Sequence, residues 1–406
     1  MKIQSVRGMH DLFGVEGAKF EKIISIGKNV AFDYAFETLH TPILEFSELF
    51  ERNLGQESDV VSKEIYKFKD RSDHILALRP EFTASIVRAF AQYSMQNNVL
   101  PKRFFSYGPL FRYDRPQAGR YRQFNQLNFE VIGVESPAVD VECIVLANDL
   151  LVRSGVLNYE LNINFLGGKE TCSNYEKALQ DYLRDHYDSL SEDSKRRLNE
   201  NPLRILDSKD ANDIKIISNV PYLAEYYSNK DKEYFNGILE LLTKINIPYK
   251  INNHLVRGLD YYTGVVFEFV AKQGFTVLGG GRYDNLIEQI SGKVSVPAIG
   301  FAAGIERLML CGGDILYQKN EKFGIIYYSK NELYYAMWKV AKKLRDKGNM
   351  VEIIHQDSNM GKKFSKADQL GCTKVVVCGP EEEKNSTVKI KDLVSGIESV
   401  IALNDL

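Results

Sequence analysis

Apolar positions along the 406 residues switch repeatedly between strand and helix spacing, and the switches divide the chain. Residues 104–113 and 124–132 flank a polar middle segment, so 107–133 (YGPLFRYDRPQAGRYRQFNQLNFEVIG) is predicted as a β-hairpin. Its loop carries Arg112, Arg115, Arg120 and Arg122 with only Asp114 nearby to balance them. Residues 15–35 place Phe20, Ile23, Ile24, Val30, Ala31 and Tyr34 at helical spacing, and 36–45 then runs extended around Pro42. Proline cannot complete a ladder, so that run belongs at an edge or an interface. A core helix with an edge strand and a chain-to-chain pairing both fit. Residues 75–78 read as a short strand entering Arg79-Pro80-Glu81-Phe82-Thr83, with a helix over 84–92. Pro80 sits where that helix can begin, which puts Glu81 and Thr83 at the positive end of its dipole. Capping and pocket lining are both open to them.

Further on, Ser136-Pro137 predicts an N-cap and first helical position, with a helix to Gly155 and a strand over 159–165. Residues 169–246 are rich in Asp, Asn, Lys and Tyr. Phe235, Ile238, Leu239 and Leu242 follow i, i+3, i+4, i+7 there, so the block reads as a helical insertion folding on its own patch. Strand patterning returns at 247–251, 265–270 and 294–301, separated by glycine-containing turns that include Gly279-Gly280-Gly281. A helix then passes through Gly304 and Arg307. Beyond Gly313 the pattern becomes an α/β domain of roughly 80 residues. It has strands at 323–328, 350–355, 374–378, 387–390 and 397–402, a helix at 364–370, and a helix ending near Gly348 that a capping box at Ser329-Lys330-Asn331-Glu332 opens.

Composition narrows the chemistry. A net charge of −2 excludes whole-surface attraction to polyanions, leaving local patches. Five scattered cysteines without a C-x-x-C pair, and six histidines without H-E-x-x-H, predict no metal site and reduced thiols. The N-terminal residues lack a signal-peptide core, and no apolar run approaches about 18 residues, so a cytoplasmic chain without a membrane span is expected. There is no G-x-x-x-x-G-K-[ST], and Asp284 interrupts any G-x-G-x-x-G after Gly279. A nucleotide would therefore be held by arginines on an antiparallel sheet, whose planar forks suit phosphate. Arg112, Arg257 and Arg307 are the candidates. Each alone reads as a surface or salt-bridged arginine; together they read as converging anion ligands.

Phe36, Pro42 and Glu45, then Phe111-Arg112 with its loop and returning strand, then 300–307, resemble the three signature motifs of class II aminoacyl-tRNA synthetases. RGLDYYTG (257–264) and GGGRYD (279–284) resemble the segments peculiar to histidyl-tRNA synthetases. RGMHDLFG (7–14), LRPEFT (78–83), RPQAGRYRQF (115–124) and NPLRILDSKD (201–210) extend the likeness over essentially the whole chain. The resemblance implies an α+β fold: a class II antiparallel sheet flanked by helices over 1–320, with the helical insertion at about 169–246, and an α/β anticodon-binding domain over 323–406. It implies ATP-dependent activation of L-histidine to histidyl-adenylate and transfer to the 3′ end of tRNA(His), with Mg²⁺ accompanying ATP, in a homodimer joined through 36–45. Arg112 and Arg257 would then be catalytic at the α-phosphate, Arg307 would hold the distal phosphates, Arg120 would also bind ATP, and Phe124 would stack on adenine. Glu130, Tyr262 and Tyr283 would take the imidazole, Glu81, Thr83 and Gln126 the α-amino group, and Arg257 and Tyr261 would touch histidine as well. Lys362, Lys363, Lys366 and Lys374, and a basic helix near 339–347, are available to a tRNA backbone or simply solvated.

Four positions depart from the family pattern. Asp114 stands where Glu is commoner, Asn125 and Asn128 where His and Gly are, and Ala35 where Gly precedes the first motif's Phe. None holds a catalytic role in this assignment. The alternatives are a non-catalytic synthetase-like regulatory subunit of ATP phosphoribosyltransferase, which lacks an intact RGLDYYTG and the C-terminal domain, and a class II synthetase for another amino acid.

Overall fold

The computed structural model describes residues 3–52, 60–292, 294–317, 321–327, 333–355 and 358–406. The chain divides into two compact units, Met1–Tyr317 and Gln318–Leu406. In the first, α1 (Gly14–Asp33) leads to β1 (Glu37–Thr38), β2 (Leu44–Phe46), α2 (Glu48–Glu51), β3 (Lys67–Lys69), β4 (Ile75–Leu78) and α3 (Thr83–Gln92). The hairpin follows as β5 (Lys102–Phe111) and β6 (Gln123–Ile132), then α4 (Pro137–Arg153) and β7 (Tyr159–Phe165). The block after it holds α5 (Lys169–Arg184), α6 (Glu192–Glu200), α7 (Ala211–Ile217) and α8 (Asn229–Lys244). Next come β8 (Lys250–Ile251), β9 (Thr263–Ala271), β10 (Thr276–Arg282), α9 (Leu286–Ser291), β11 (Ala298–Gly304) and α10 (Ile305–Cys311).

Eight strands form one mixed sheet in the order β1-β5-β6-β11-β10-β9-β7-β8, whose central pairings are antiparallel. One face is dry: Phe105, Leu127, Phe129, Phe267, Phe269 and Phe301 pack against α1, α4 and α10. Period-two alternation sends their neighbours Gln126, Asn128 and Glu130 to the opposite face. Pro42 lies in no strand; the extended run breaks into β1, an edge strand parallel to β5, and β2, which pairs with β4 in a separate three-stranded sheet. Arg79 holds that bend. Its guanidinium donates to Thr41 O at 2.7 Å and to Pro109 O at 3.1 Å.

The helical block does not close on itself. Its last helix, α8, gives Phe235, Ile238 and Leu242 to the main core, and only α5 to α7 build a separate cluster, shared with Leu255 and Val266. Gly279, Gly280 and Gly281, expected in a turn, form the middle of β10. A Cβ on Gly280 would stand 2.1 Å from Gly300 O and 2.5 Å from the Phe301 Cβ. Close packing with β11, rather than a turn, explains that glycine.

At the end of β10, Arg282 is 2% exposed and pairs with the fully buried Asp140 of α4 and, at 2.9 Å, with Asp284. Tyr234 of α8 also donates to Asp140, at 3.0 Å. The sheet, α4 and α8 are thereby tied through one buried charge.

The second unit contains β12 (Lys322–Tyr327), α11 (Leu333–Asp346), β13 (Met350–Ile353), α12 (Met360–Gln369), β14 (Lys374–Cys378), α13 (Pro380–Lys384), β15 (Thr387–Asp392) and β16 (Glu398–Ala402). Its sheet runs β13-β12-β14-β15-β16, parallel in the first three strands and antiparallel beyond. The Ser329–Glu332 capping box lies outside the described residues. Lys363, expected at the surface, is 2% exposed and donates to Tyr327 O at 2.7 Å. Lys343 and Lys347 bind the backbone oxygens of Leu403, Asn404 and Asp405. Lys362 and Lys366 are exposed.

Two stability changes follow. Arg282→Met leaves Asp140 buried without its cation and should lower unfolding stability by about 3–5 kcal/mol; a urea midpoint equal to the parent's would contradict the tie. Ala35, which closes α1, has φ 58°, a left-handed conformation that costs a residue with a Cβ about 1–2 kcal/mol. Ala35→Gly should raise stability by about 1 kcal/mol, and an unchanged or lowered urea midpoint counts against it.

Candidate active site

A cavity of about 830 Å³ opens on the polar face of the large sheet. Arg112, Arg120, Phe124, Arg307, Glu81, Thr83, Gln126, Arg257, Tyr261, Tyr262 and Tyr283 all line it. Glu130 does not. It lies immediately behind the wall, 1% exposed, with Thr83 Oγ1 donating to it at 2.6 Å, Tyr283 OH at 2.6 Å and Asn128 Nδ2 at 3.0 Å.

The room for that carboxylate is made by glycine. A Cβ on Gly300, opposite Glu130 on β11, would come 1.6 Å from Glu130 Oε2. Burial pushes the Glu130 carboxyl up to about 7, against the three hydrogen bonds, which favour the charged form. When Glu130 is ionised it only accepts, so the hydroxyl hydrogens of Thr83 and Tyr283 turn inward and their oxygens face the cavity as acceptors. This end of the cavity is built for a ligand rich in N–H donors.

Glu81 combines the two readings left open for it. Its carboxylate accepts from Thr83 N at 2.6 Å and Ala84 N at 2.7 Å, capping α3, and it also lines the cavity. Burial raises its pKa.

The other end is cationic. Arg112 donates through Nε to Pro80 O at 2.9 Å and lies 5.4 Å from the Phe124 ring centre. Arg307, in the first turn of α10, donates to Gly119 O at 3.2 Å and Thr276 O at 2.5 Å. Burial lowers the pKa of Arg307, as do Arg120, Arg112 and Arg257 after it, which records how closely the four cations converge. Arg257 lies across Gly279, where a Cβ would stand 2.5 Å from the guanidinium, and it pairs with Glu268 at 3.3 Å. Its Nε is buried without a partner.

Two loop arginines are tied down by local partners. Arg120 pairs with Asp114 at 2.6 Å, and Arg122 stacks 3.7 Å over Tyr113. The RGMHDLFG segment braces the loop: Gly8 O accepts from Arg122 N at 2.8 Å, and His10 packs on Tyr121 at 4.7 Å.

Among the lining residues that carried no role in the sequence reading, three fasten the site together. Arg204, from NPLRILDSKD, is 8% exposed and donates to Arg257 O at 2.9 Å, so the helical block holds the backbone of RGLDYYTG. Glu306 accepts from Asn125 N and Nδ2 at 2.8–3.0 Å, tying α10 to the hairpin. Asn128 contacts Glu130. The conspicuous Arg204 segment was a legible signal; the other two needed the register of β6 and β11.

A family model described as histidyl-tRNA synthetase matches residues 8–308. The chain belongs to the histidyl-tRNA synthetase family. An anticodon binding domain model matches 322–406. Curated relatives include a histidine–tRNA ligase of Orientia tsutsugamushi strain Boryong, 44% identical over 100% of this chain and 97% of its own length. Another, from Wolbachia pipientis wMel, is 44% identical over 99% of this chain and 98% of its own length. Among solved structures, apo histidyl-tRNA synthetase of S. aureus superposes with TM-score 0.82 at 29% identity, covering 99% of this chain and 98% of its own. A Bacillus halodurans protein described as an ATP phosphoribosyltransferase regulatory subunit/histidyl-tRNA synthetase gives TM-score 0.66 at 22% identity, covering 93% and 99%, and shares the fold. The fold is thus that of a class II synthetase with a C-terminal α/β domain, and the family uses ATP as a substrate.

The Glu130 pKa sets a pH signature. Between the ordinary 4.5 and about 7, the folded chain keeps a proton that the unfolded chain has released, so this group makes stability fall as pH rises through that window. The full effect is on the order of 3 kcal/mol. Glu130→Gln should abolish that fall, so urea unfolding at pH 5 and pH 8 should show the parent losing stability relative to the variant at the higher pH. Parallel profiles would refute it.

Proposed function

We propose that this chain activates L-histidine with ATP and transfers the histidyl group to the 3′ end of tRNA(His). The observation that carries the reading is the meeting, in one cavity, of an acceptor-lined end backed by Glu130 and a cationic end formed by Arg112, Arg257 and Arg307. Histidine would bind with its imidazole against Tyr262 and Tyr283, beside Tyr261, with Glu130 supplying negative charge behind them. Its ammonium group would lie toward Glu81, Thr83 and Gln126. Its carboxylate then faces the arginines, where it attacks the α-phosphorus of ATP; the new C–O–P linkage forms as the bond to pyrophosphate breaks. Negative charge gathers on the α-phosphoryl oxygens during that step, and fixed cations there act mainly on the transition state. Arg112 and Arg257 take that position, Arg307 and Arg120 hold the outer phosphates, and Phe124 stacks on adenine. Mg²⁺ enters with ATP as part of the substrate.

The terminal ribose of the tRNA then takes the acyl group and AMP leaves. Residues 1–320 act as the catalytic domain and 323–406 as the anticodon-binding domain, with Lys362 and Lys366 offered to the tRNA backbone. A homodimer pairing through 36–45 fits an edge strand beside a bend. No helix among the described residues is long and apolar enough to cross a membrane, in keeping with a cytoplasmic enzyme. The regulatory-subunit reading is disfavoured by the intact RGLDYYTG and the full-length likeness to histidine–tRNA ligases.

Exchange of labelled pyrophosphate into ATP should depend on L-histidine. Exchange that ignores histidine, or prefers another amino acid, removes the proposal. Arg257→Ala should lower the exchange kcat by roughly 10²–10³ with KM for ATP changed only a few-fold; a raised KM at constant kcat would show a ground-state role instead.

A further inference from the structure

On β6, Asn128 faces the cavity between Gln126 and Glu130, since same-face positions recur every second residue. The two residues opposite it are Ser106 on β5 and Ala302 on β11. Ser106 turns its hydroxyl away, donating to Leu39 O at 2.6 Å, and Ala302 has no polar atom to offer. The Asn128 Nδ2 donates to Glu130 Oε1 at 3.0 Å. While Glu130 is ionised, the reverse amide orientation would set two acceptors against each other, so Oδ1 points elsewhere. Asn128 is 2% exposed, and Oδ1 is buried with no hydrogen-bond partner.

An orphaned buried carbonyl oxygen is costly unless a ligand completes it. We infer that Asn128 is an additional substrate-binding residue whose Oδ1 accepts a hydrogen bond from the α-ammonium group of the amino acid. This rests on the histidine reading above. Amino acid binding then offsets a desolvation cost already present in the folded chain. A donor is required, and histidine has two kinds, the ring N–H and the ammonium. The ring belongs at the tyrosines. The ammonium has three hydrogens to place, and Asn128 lies one same-face step from Gln126, on the side where Glu81 caps α3. Through its other amide group Asn128 also touches the carboxylate that backs the ring site, so one side chain joins the two ends of the amino acid.

The test compares two competitive ligands of the full chain: histidinol, which keeps the ammonium and the ring, and imidazolepropanoate, which lacks the amino group. Inhibition constants are taken from histidine-dependent pyrophosphate exchange in the parent, Asn128→Ala and Asn128→Gly; the second variant guards against a single misfolded one. Hydrogen bonds to a charged group correspond to about ten- to hundredfold in affinity. Histidinol should weaken by that factor in both variants, and imidazolepropanoate by less than twofold. Equal weakening of both ligands would assign Asn128 to Glu130 alone and overturn the inference, as would no change in either. If the parent itself shows no histidine-dependent exchange, the reading of the site falls and this assignment falls with it.

Discussion

One carboxylate buried near the middle of an eight-stranded sheet imposes most of what surrounds it. Glu130 can be kept there only if hydrogen-bond donors replace the water it has lost. Thr83, Asn128 and Tyr283 supply them from α3, from the same strand and from the turn after β10. Those three elements are far apart in sequence and must therefore be held in register, which is what the Arg282–Asp140 pair and the Arg79 bend secure. The carboxylate also dictates its neighbour's size: Gly300 can carry no side chain without displacing it.

The cationic end follows a different rule. Arg112 and Arg307 are anchored by backbone oxygens of Pro80, Gly119 and Thr276. Carbonyls orient a guanidinium without neutralising it, and the Glu64 and Glu81 carboxylates also act on Arg112. Arg257 and Arg120 carry carboxylate partners as well, Glu268 and Asp114, while the buried Arg282 is held structurally by Asp140. Acceptors at one end and a cluster of four arginines at the other give the cavity a polarity matched to an amino acid whose carboxylate meets a phosphate.

Much of this was legible in the chain itself. The 107–133 hairpin, the Ser136-Pro137 helix start and the strand at 159–165 appear where local patterning puts them, since each depends on capping chemistry or alternation within a few residues. The resemblance to synthetases brought the site residues into one list, and most of them line one cavity. Long-range packing was not legible. Three consecutive glycines signal a turn locally, yet in β10 they clear space for Arg257, Phe301 and Tyr262, which arrive from distant segments. Glu130 looked like a wall residue and lies behind the wall. Lys363 looked like surface charge, but its ammonium group caps Tyr327 O inside the second unit. Asn128 looked like a neutral departure until its strand neighbours showed an acceptor with nothing to accept.

In the proposed binding mode the Glu130 cage recognises the imidazole while the arginines face the reacting carboxylate. A crystal structure of the full chain with L-histidine tests it directly. That mode requires an imidazole nitrogen within hydrogen-bond distance of Glu130, Tyr262 or Tyr283 and the carboxylate directed at Arg112 and Arg257. A ring lodged among the arginines, with Glu130 still held only by Thr83, Asn128 and Tyr283, would contradict it.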